Sequence, residues 1–333
     1  MELLPVVWIA LIGTAVALYV ILDGFDLGVG ILFATARGER ERDTIMNSVA
    51  PFWDGNETWL VLGGGGLFVA FPLAYSIILP ALYEPVIVML LALIFRGVAF
   101  EYRWVAKPNH GIWDVAFAGG SILAAFAQGL VLGGLVQGIR VADGQFAGGS
   151  LDWLTPFSVL CGLGLVAGYA MIGAGWLMMR VEGEVADHAR RLAPWLLVGL
   201  AAFVAAVSLW TPFASPRVSE RWFAAETLRW LWPLPTLAAG LVLLVWASIR
   251  SGGTVLPFLG TIGIFLLCFA GLAVSSWPYV VPDTVTIWQA AAAPESQIFS
   301  LVGTLLLLPV VLGYSVFVYW TFRGRLRSGE GYH

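Results

Sequence analysis

Long apolar segments, separated by short polar ones, run along almost the whole chain. A bilayer core about 30 Å thick needs roughly 20 apolar residues per helix. We predict helices rather than the strands of a membrane β-barrel, because the segments are continuously apolar and do not alternate with a period of two. The pattern predicts nine membrane-spanning segments, at approximately 5–34, 57–78, 80–102, 113–138, 154–179, 194–213, 232–249, 256–280 and 298–322.

Two boundaries in this pattern need interpretation. The first segment is longer than the apolar core of a signal peptide and has no basic residues before it, so we expect it to be retained as a span. Only Leu79 and Pro80 separate the second and third segments. We interpret this point as a tight turn at Pro80 rather than as one long kinked helix.

Composition supports a membrane protein and excludes several other classes. Of the 333 residues, 59% are hydrophobic and 11% are charged, against about 25% charged in a typical soluble domain. The mean hydropathy is +0.87, which a water-soluble surface cannot accommodate. The net charge of −4 and the absence of a dense basic run exclude nucleic-acid binding. Cys161 and Cys268 lie in apolar segments, so we expect neither a disulfide framework nor a CxxC site.

The basic residues predict an orientation. Twelve of the 17 lie in the loops after segments one, three, five and seven or in the C-terminal tail, four lie in the opposite loops, and Arg96 lies within segment three. Because cytoplasmic loops carry the excess of Lys and Arg, we expect a cytoplasmic C-terminus and a periplasmic N-terminus.

A weak internal similarity suggests two halves within a single membrane domain, 1–333. Tyr19 precedes Phe25 near the end of segment one, as Tyr169 precedes Trp176 in segment five, and an arginine-rich loop follows each. This pattern is consistent with two four-helix bundles, 1–140 and 141–281, and a peripheral helix, 298–322, with a cytoplasmic tail. Chance similarity between apolar helices is the alternative.

Charged residues at membrane depth are costly and are therefore candidates for function. Asp23 and Asp26 are three residues apart and share a helix face, and Asp54 and Glu57 have the same spacing where segment two begins. With Arg96, they are all expected in the cytoplasmic half. The sequence therefore predicts a guanidinium paired with carboxylates, beside a desolvated acid able to pass protons.

Structural interpretations of the same residues remain open. Asp23, Asp26 and Arg96 could form a charge cluster that only fixes helix packing, with Asp26 in contact with Arg96. Asp54 and Glu57 could instead cap the second helix, because their spacing is that of a capping box. Glu84 is expected to lie at the membrane interface.

Haem ligation within this chain is not expected. The three histidines, His110, His188 and His333, lie in loops or at the terminus, so a bis-histidine haem is excluded. We assign the methionines within segments, among them Met171 and Met178, to packing. No metal site is predicted, and redox centres would have to reside in another chain.

Five ordered motifs resemble one membrane-protein family. They are Leu22–Gly30 (LDGFDLGVG), Trp53–Trp59 (WDGNETW), Phe95–Arg103 (FRGVAFEYR), Trp277–Pro282 (WPYVVP) and Leu312–Gly324 (LGYSVFVYWTFRG). Together they are similar to signatures of subunit II of cytochrome bd-type quinol oxidases, although Pro278 precedes Tyr279 here, in an order that departs from the family pattern. Glu57-Thr58-Trp59 resembles the cyanide-insensitive branch.

The resemblance implies a heterodimer with a haem-bearing subunit I in the inner membrane of a bacterium. Such a complex oxidises quinol and reduces dioxygen to water, and its haem b and haem d are held mainly by subunit I. Quinone is then a substrate of the complex, membrane lipid surrounds it, and a small accessory subunit is a further candidate partner.

The resemblance also implies roles for individual residues. It places Asp54, with Asp23, Asp26 and Glu57, on a proton route from the cytoplasm toward haem d. The supporting charge cluster is Arg96 with Glu101, and Trp59 would lie beside a dioxygen entry path at the subunit interface. No residue of this chain is implied in direct catalysis.

Two rival functions fit some of the same features. Buried acids with an arginine also occur in proton- or ion-coupled transporters, although matched broken helices at the membrane midplane are missing here. A purely structural membrane scaffold is the other alternative, and it predicts that substituting Asp54 does not change turnover.

Overall fold

The computed structural model describes residues 2–106 and 110–326. Within these ranges the chain forms α1 (Leu3–Phe33), α2 (Glu39–Asn47), α3 (Trp53–Ala70), α4 (Pro72–Ala81), α5 (Tyr83–Val105), α6 (Gly111–Gln137), α7 (Pro156–Arg180), α8 (Glu184–Ala214), α9 (Pro216–Phe223), α10 (Ala225–Leu231), α11 (Pro233–Arg250), α12 (Leu256–Ser276), α13 (Ile287–Ala290) and α14 (Pro294–Thr321). Two short antiparallel hairpins join β1 (Val141–Ala142) to β2 (Gln145–Phe146) and β3 (Tyr279–Val281) to β4 (Val285–Thr286).

Helix length and hydropathy confirm the predicted class, an all-α integral membrane protein. Within residues 2–106 and 110–326, eight stretches are long and apolar enough to cross a bilayer. They are α1, α5, α6, α7, α8, α12, α14 and the segment Glu226–Arg250, which contains most of α10 and all of α11. The remaining predicted crossing, segment two, corresponds to α3 and α4. Helix α3 carries acids in its first turns, and α4 has only ten residues. That crossing stays a prediction.

The predicted second segment, 57–78, is divided rather than continuous. Helix α3 ends at Ala70, and Pro72 opens α4 because proline has no N–H to continue the preceding hydrogen-bond ladder. The predicted turn at Pro80 is wrong, since Pro80 lies inside α4 and the interruption before α5 is at Leu82.

The chain does reverse between α3 and α5. The ring of Trp53, at the start of α3, stacks on that of Phe100, near the end of α5, with centroids 4.9 Å apart. Helices α3 and α5 are therefore antiparallel neighbours, as expected for consecutive segments joined by a tight turn.

Helix α1 lies at the centre of the packed helices. Every residue from Asp23 to Gly30 is buried, which encloses the whole acidic motif. A Cβ on Gly28 would lie 1.8 Å from the carbonyl oxygen of Tyr169, so only glycine permits this approach of α7. Small residues at such crossings are typical of membrane helices.

The two ends of the helix bundle differ in what covers them. At one end, Trp8 packs in an apolar cluster with Phe71, Leu82 and the β3–β4 hairpin, and its Nε1 donates to the Gln297 carbonyl at 3.3 Å. At the other end, the main core extends to α2 and to the first turns of α8. The acidic residues of the candidate site belong to this second end.

Helix α14 is peripheral and attached near its C-terminal end. Tyr319 stacks on Phe52 with centroids 4.7 Å apart. Beyond the helix, Leu326 N–H donates to the Arg180 carbonyl at 2.8 Å, and Arg180 itself donates to the Phe322 carbonyl. Much of the rest of α14 exposes apolar side chains. Helices α1 and α6 both pack directly against α7, so the first and second predicted bundles are in contact. The division into two bundles at residues 140 and 141 stays a prediction.

Candidate functional site

The two aspartates of α1 form the deepest part of the candidate site. Asp23 and Asp26 are 0% and 1% exposed. Their spacing of three residues places both carboxylates on one face of the helix, at successive depths. The shared helix face is the one that the spacing predicts, and the cytoplasmic location of the two residues stays a prediction.

Arg96 on α5 joins α1 to α3. Its Nη1 donates to Asp23 Oδ1 at 2.6 Å, and its Nη2 donates to Glu57 Oε2 at 3.0 Å. Arg96 is fully buried, whereas 30% of the Glu57 side chain is exposed. The guanidinium therefore links a completely enclosed carboxylate to one that reaches the surface of this chain.

Asp26 has a different partner from the one we expected. Asn56 Nδ2 donates to Asp26 Oδ2 at 2.7 Å and also faces the Leu22 carbonyl at 3.3 Å. Tyr319 on α14 donates to Asn56 Oδ1 at 2.9 Å. The expected direct contact of Asp26 with Arg96 is wrong, because the guanidinium lies beside the preceding turn of α1 and pairs with Asp23.

Several polar atoms in this cluster have no protein hydrogen bond among the described residues. They include Asp23 Oδ2, Asp26 Oδ1 and Arg96 Nε. Tyr19 lies one helical turn before Asp23 on α1, and its hydroxyl oxygen accepts a hydrogen bond from Gln128 Nε2 at 2.7 Å. Most buried polar atoms in proteins are paired, so a group of unpaired ones marks a site rather than simple packing.

The start of α3 presents the more accessible acids. Asp54 is exposed, and Glu57 lies one turn further along. The interpretation of these residues as a capping box is wrong: the N-cap position is Phe52, no side chain caps the helix, and the Glu57 carboxylate is bound to Arg96. The attraction of a buried guanidinium outweighs a local cap.

Two further predicted residues lie apart from the ion pairs. Glu101 is exposed, so its predicted place in the charge cluster is wrong. It is five residues from Arg96, which at about 100° per residue rotates it well away from the buried face of α5. Trp59 is 2% exposed and packs between Ala15 and Tyr19 of α1, with Leu308 of α14 beside them.

Sequence reasoning missed the neutral polar partners. Asn56 lies inside the quoted WDGNETW motif, but its link to Asp26 needs the fold. Gln128, a polar residue in the middle of an apolar segment, carried a signal that could have been read, because polar groups at membrane depth need partners. Its amide contacts the hydroxyls of Tyr19 and Tyr169.

A second ionic cluster, at the ends of α2, α5 and α6, was also missed. Arg103 is fully buried, and its Nε and Nη1 donate to Asp114 Oδ1 and Asp43 Oδ1, both at 2.5 Å. Its Nη2 donates to Glu39 Oε2 at 2.9 Å, and His110 Nε2 lies 2.6 Å from the same oxygen. We call these residues the outer cluster and the group around Arg96 the deep cluster.

The outer cluster is poorly suited to a metal ion. Ligand atoms of Glu39, His110 and Asp114 lie within 4.8 Å of one another. However, Arg103 and Arg42 already bind the Asp114 carboxylate, Arg42 at 3.0 Å. Each oxygen of the Asp114 carboxylate thus faces a guanidinium, Oδ1 that of Arg103 and Oδ2 that of Arg42, and these two positive charges oppose a divalent cation.

The described residues do not fit haem. His110 starts α6 and is bound to Glu39, and His188, in the first turns of α8, shares a hydrogen bond of 2.9 Å with Thr35. His333 lies outside the described residues. Met171 and Met178 are enclosed by packed side chains of the main core. Among the described residues, no histidine faces the membrane interior where an axial ligand would be needed.

Comparisons with known proteins place this arrangement in a family. The family model described as cytochrome bd terminal oxidase subunit II matches residues 4–322. The chain is 28% identical over 370 residues to cytochrome bd-I ubiquinol oxidase subunit 2 of Escherichia coli (strain K12), covering 99% of this chain and 97% of that relative. It is 29% identical over 337 residues to cytochrome bd ubiquinol oxidase subunit 2 of Bacillus subtilis (strain 168), covering 97% of each.

A solved structure agrees in fold. The bd oxidase from Geobacillus thermodenitrificans contains a chain that matches 96% of this chain and 99% of its own length, with a TM-score of 0.73 and 16% identity. The family comparison and this architecture confirm the resemblance seen in the motifs, and they decide against a transporter. The chain belongs to the cytochrome bd terminal oxidase subunit II family and is a subunit of a membrane-bound quinol oxidase.

Proposed function

We propose that this subunit provides a proton route from the cytoplasmic end of the helix bundle toward the oxygen-reducing site of its partner, subunit I. The observation that carries the proposal is the graded burial of linked acids. Asp54 is exposed, Glu57 is partly exposed, and Asp23 and Asp26 are buried behind Arg96. Such a gradient offers protons an entrance and successively deeper acceptors.

The direction of the route follows from the charge of the loops. By sequence, twelve of the 17 basic residues belong to the loops after segments one, three, five and seven or to the C-terminal tail, and the ten of these that the structure describes lie at the end where α3 begins. Under the positive-inside rule this end is cytoplasmic, with the N-terminus of α1 periplasmic. Reduction of one dioxygen to two waters consumes four electrons and four protons. Two quinols supply the electrons, and a cytoplasmic route would supply the protons.

We place the haems of the complex on subunit I. They supply electron transfer and dioxygen binding when present, and quinol and dioxygen are their substrates. This chain contributes acids and their partners: Arg96 holds the Asp23 carboxylate, and Asn56 orients Asp26. Asp26 Oδ1 and Asp23 Oδ2 are the acceptor atoms that no protein group among the described residues occupies.

Dioxygen access forms a separate part of the proposal. Trp59 is enclosed by apolar side chains of α1, α3 and α14, including Leu60 and Val311. An apolar environment of this kind suits a neutral, sparingly soluble gas. We therefore propose that the path for dioxygen passes between α3 and α14 beside Trp59.

The test is Asp54→Asn in the complete oxidase. We expect the quinol-oxidase rate to fall at least about tenfold with the haem content preserved, because the amide cannot carry a proton at the entrance. Glu101→Gln is the matched control, since Glu101 is an exposed acid of the same end and lies outside the deep cluster. A full rate with intact haems would exclude Asp54 from the route and favour a structural role for this subunit.

A further inference from the structure

One side chain of the peripheral helix α14 reaches the deep cluster. The Tyr319 hydroxyl donates to Asn56 Oδ1 at 2.9 Å, and Asn56 Nδ2 donates to Asp26 Oδ2 at 2.7 Å. Asn56 and Asp26 are 2% and 1% exposed, so both bonds end on buried groups. Two hydrogen bonds of normal length therefore connect α14 to α1 through the first turn of α3.

The Asn56 amide can be placed in one orientation only. Its Nδ2 also lies 3.3 Å from the Leu22 carbonyl, which can accept a hydrogen bond but cannot donate one. The amide nitrogen therefore faces α1, and Oδ1 faces α14. Because Oδ1 is an acceptor, Tyr319 must be the donor in the bond between them.

Tyr319 supplies the donor that this orientation requires. Among the described residues, no other group donates to Asn56 Oδ1. A buried amide oxygen without a donor is costly, so an Asn56 side chain that lost Tyr319 would gain by rotating toward another donor. Such a rotation would turn the amide nitrogen away from Asp26.

The ring of Tyr319 is held by the two helices that carry the acid and the amide. It stacks on Phe52, which immediately precedes α3, with centroids 4.7 Å apart and planes inclined by 21°. It also meets the edge of Phe25, the residue before Asp26, at 6.5 Å and 73°. Stacked and edge-on contacts of this kind are favourable. They fix the hydroxyl relative to the site.

The end of α14 is in turn fixed to α7. Arg180 at the end of α7 donates to the Phe322 carbonyl, and the Leu326 N–H donates to the Arg180 carbonyl at 2.8 Å. The Arg180 guanidinium also lies over the Phe52 ring, 5.8 Å from its centroid. We call Arg180, Phe322 and Leu326 the tail clasp. Since Phe322 is three residues after Tyr319, the clasp limits movement of Tyr319 along the bundle.

We infer that Tyr319 is a positioning residue of the proton site, which holds the Asp26 carboxyl through Asn56 and is itself held by the tail clasp. The inference rests on the proposed proton route, in which Asp26 exchanges protons. Tyr319 reaches Asp26 only through the amide, so it is a positioning residue and not a catalytic one. The peripheral helix thereby sets the geometry of an acid that belongs to the central helix.

The experiment compares Tyr319→Phe with the control Tyr314→Phe in the complete haem-loaded oxidase. Each variant loses one hydroxyl of α14 and keeps its ring, and Tyr314 is 60% exposed. The readouts are the rate per haem, the KM for quinol, and the Asp26 band in infrared spectra of the resting oxidase with isotopically labelled aspartate. The Asp26 band is the one that Asp26→Asn removes.

Tyr319→Phe should shift the Asp26 band and lower the rate per haem about fivefold, the size expected for one hydrogen bond between neutral groups. The KM for quinol should not change. Arg180→Lys keeps the charge of the tail clasp but loses the planar guanidinium, so it should shift the band in the same direction and lower the rate about twofold. Tyr314→Phe should change none of the readouts.

An unchanged Asp26 band in Tyr319→Phe would overturn the inference. So would a normal rate per haem accompanied by reduced haem content or thermal stability, because a purely structural role gives that result. If Tyr319→Phe fails to assemble, the band of Arg180→Lys decides in its place.

The same variants separate this inference from the proton route. If Asp26→Asn also keeps its full rate, the proton route is wrong, and the band of the resting oxidase still tests the link from Tyr319 to Asp26. If Asp26→Asn is slow while Tyr319→Phe has the normal rate and band, the route stands and the positioning role of Tyr319 is wrong.

Discussion

Helix α5 carries two fully buried arginines, seven residues apart, whose surroundings differ in one respect. Arg103 in the outer cluster uses Nε, Nη1 and Nη2 to bind three carboxylates. Arg96 in the deep cluster binds two carboxylates through Nη1 and Nη2, and its Nε has no hydrogen bond to described protein groups. One guanidinium is saturated, and the other is not.

The carboxylates differ in the same way. Glu39 and Asp43 around Arg103 have side chains 50% and 29% exposed, so water can solvate their remaining oxygens. Asp23 and Asp26 are enclosed, and each keeps one oxygen without a protein donor among the described residues. A saturated cluster fixes the ends of helices, whereas an enclosed, incompletely paired one retains atoms that can take up a proton.

The largest effect is expected for Arg103→Met. Removal of the cation leaves three converging carboxylates, and breaking a buried ion pair in this way costs about 3–5 kcal/mol. We expect a lower thermal unfolding temperature of the detergent-solubilised oxidase and an unchanged rate per haem in the complex that remains folded. Arg42→Met, at a partly exposed arginine of the same cluster, is the matched control. If Arg103→Met kept full thermal stability but turned over slowly, the outer cluster would serve turnover rather than stability, contrary to this prediction.

Asp26→Asn tests the deep cluster directly. The amide has the shape of the carboxylic acid and can still accept from Asn56, so the fold should remain. It cannot exchange a proton, and we expect the oxidase rate to fall about tenfold or more at normal haem content. A variant with wild-type turnover would remove Asp26 from the route and make the deep cluster structural, like the outer one.

Gly24→Ala asks how far the deep cluster depends on the second half of the chain. The added Cβ would press on the Tyr169 ring at 2.7 Å, and overpacking of this kind costs about 1–3 kcal/mol. We expect reduced thermal stability together with a slower rate. Gly240→Ala on α11 meets no atom within 4 Å and serves as the control. Equal behaviour of the two variants would show that Tyr169 can move without consequence.

The smallest effect is expected for Glu39→Gln. Half of this side chain is exposed, and Arg103 keeps two other carboxylates. The free energy of unfolding should fall by less than about 1 kcal/mol, and the difference should shrink further in high salt. The measurement is denaturation at low and at high ionic strength. A loss as large as that of Arg103→Met would mean that the outer cluster is not shared among several acids.

The sequence predicted the parts of the site that depend on local patterns. Charges within apolar segments identified Asp23, Asp26 and Arg96, because membrane burial makes such residues rare. The family and the all-α membrane fold were also predicted and are confirmed. The assignment to the cyanide-insensitive branch stays a prediction.

Partners distant along the chain were not predictable in this way. Arg103 sits at the polar edge of an apolar segment, and its burial depends on acids 11, 60 and 64 residues away. Glu57 has the spacing of a cap, but an arginine 39 residues later binds it. In both cases a long-range ion pair overrides the local signal, and only the packing of α2, α3, α5 and α6 reveals it.

The attachment of α14 has a consequence for how the protein is made. Tyr319, whose hydroxyl donates to the Asn56 side chain that binds Asp26, belongs to α14 and is synthesised 263 residues after Asn56. A nascent chain that stops short of this helix therefore carries an unfinished acid site. That site is completed only once α14 has been synthesised, so a subunit terminated before α14 would present an unsatisfied polar interior to the membrane quality-control machinery.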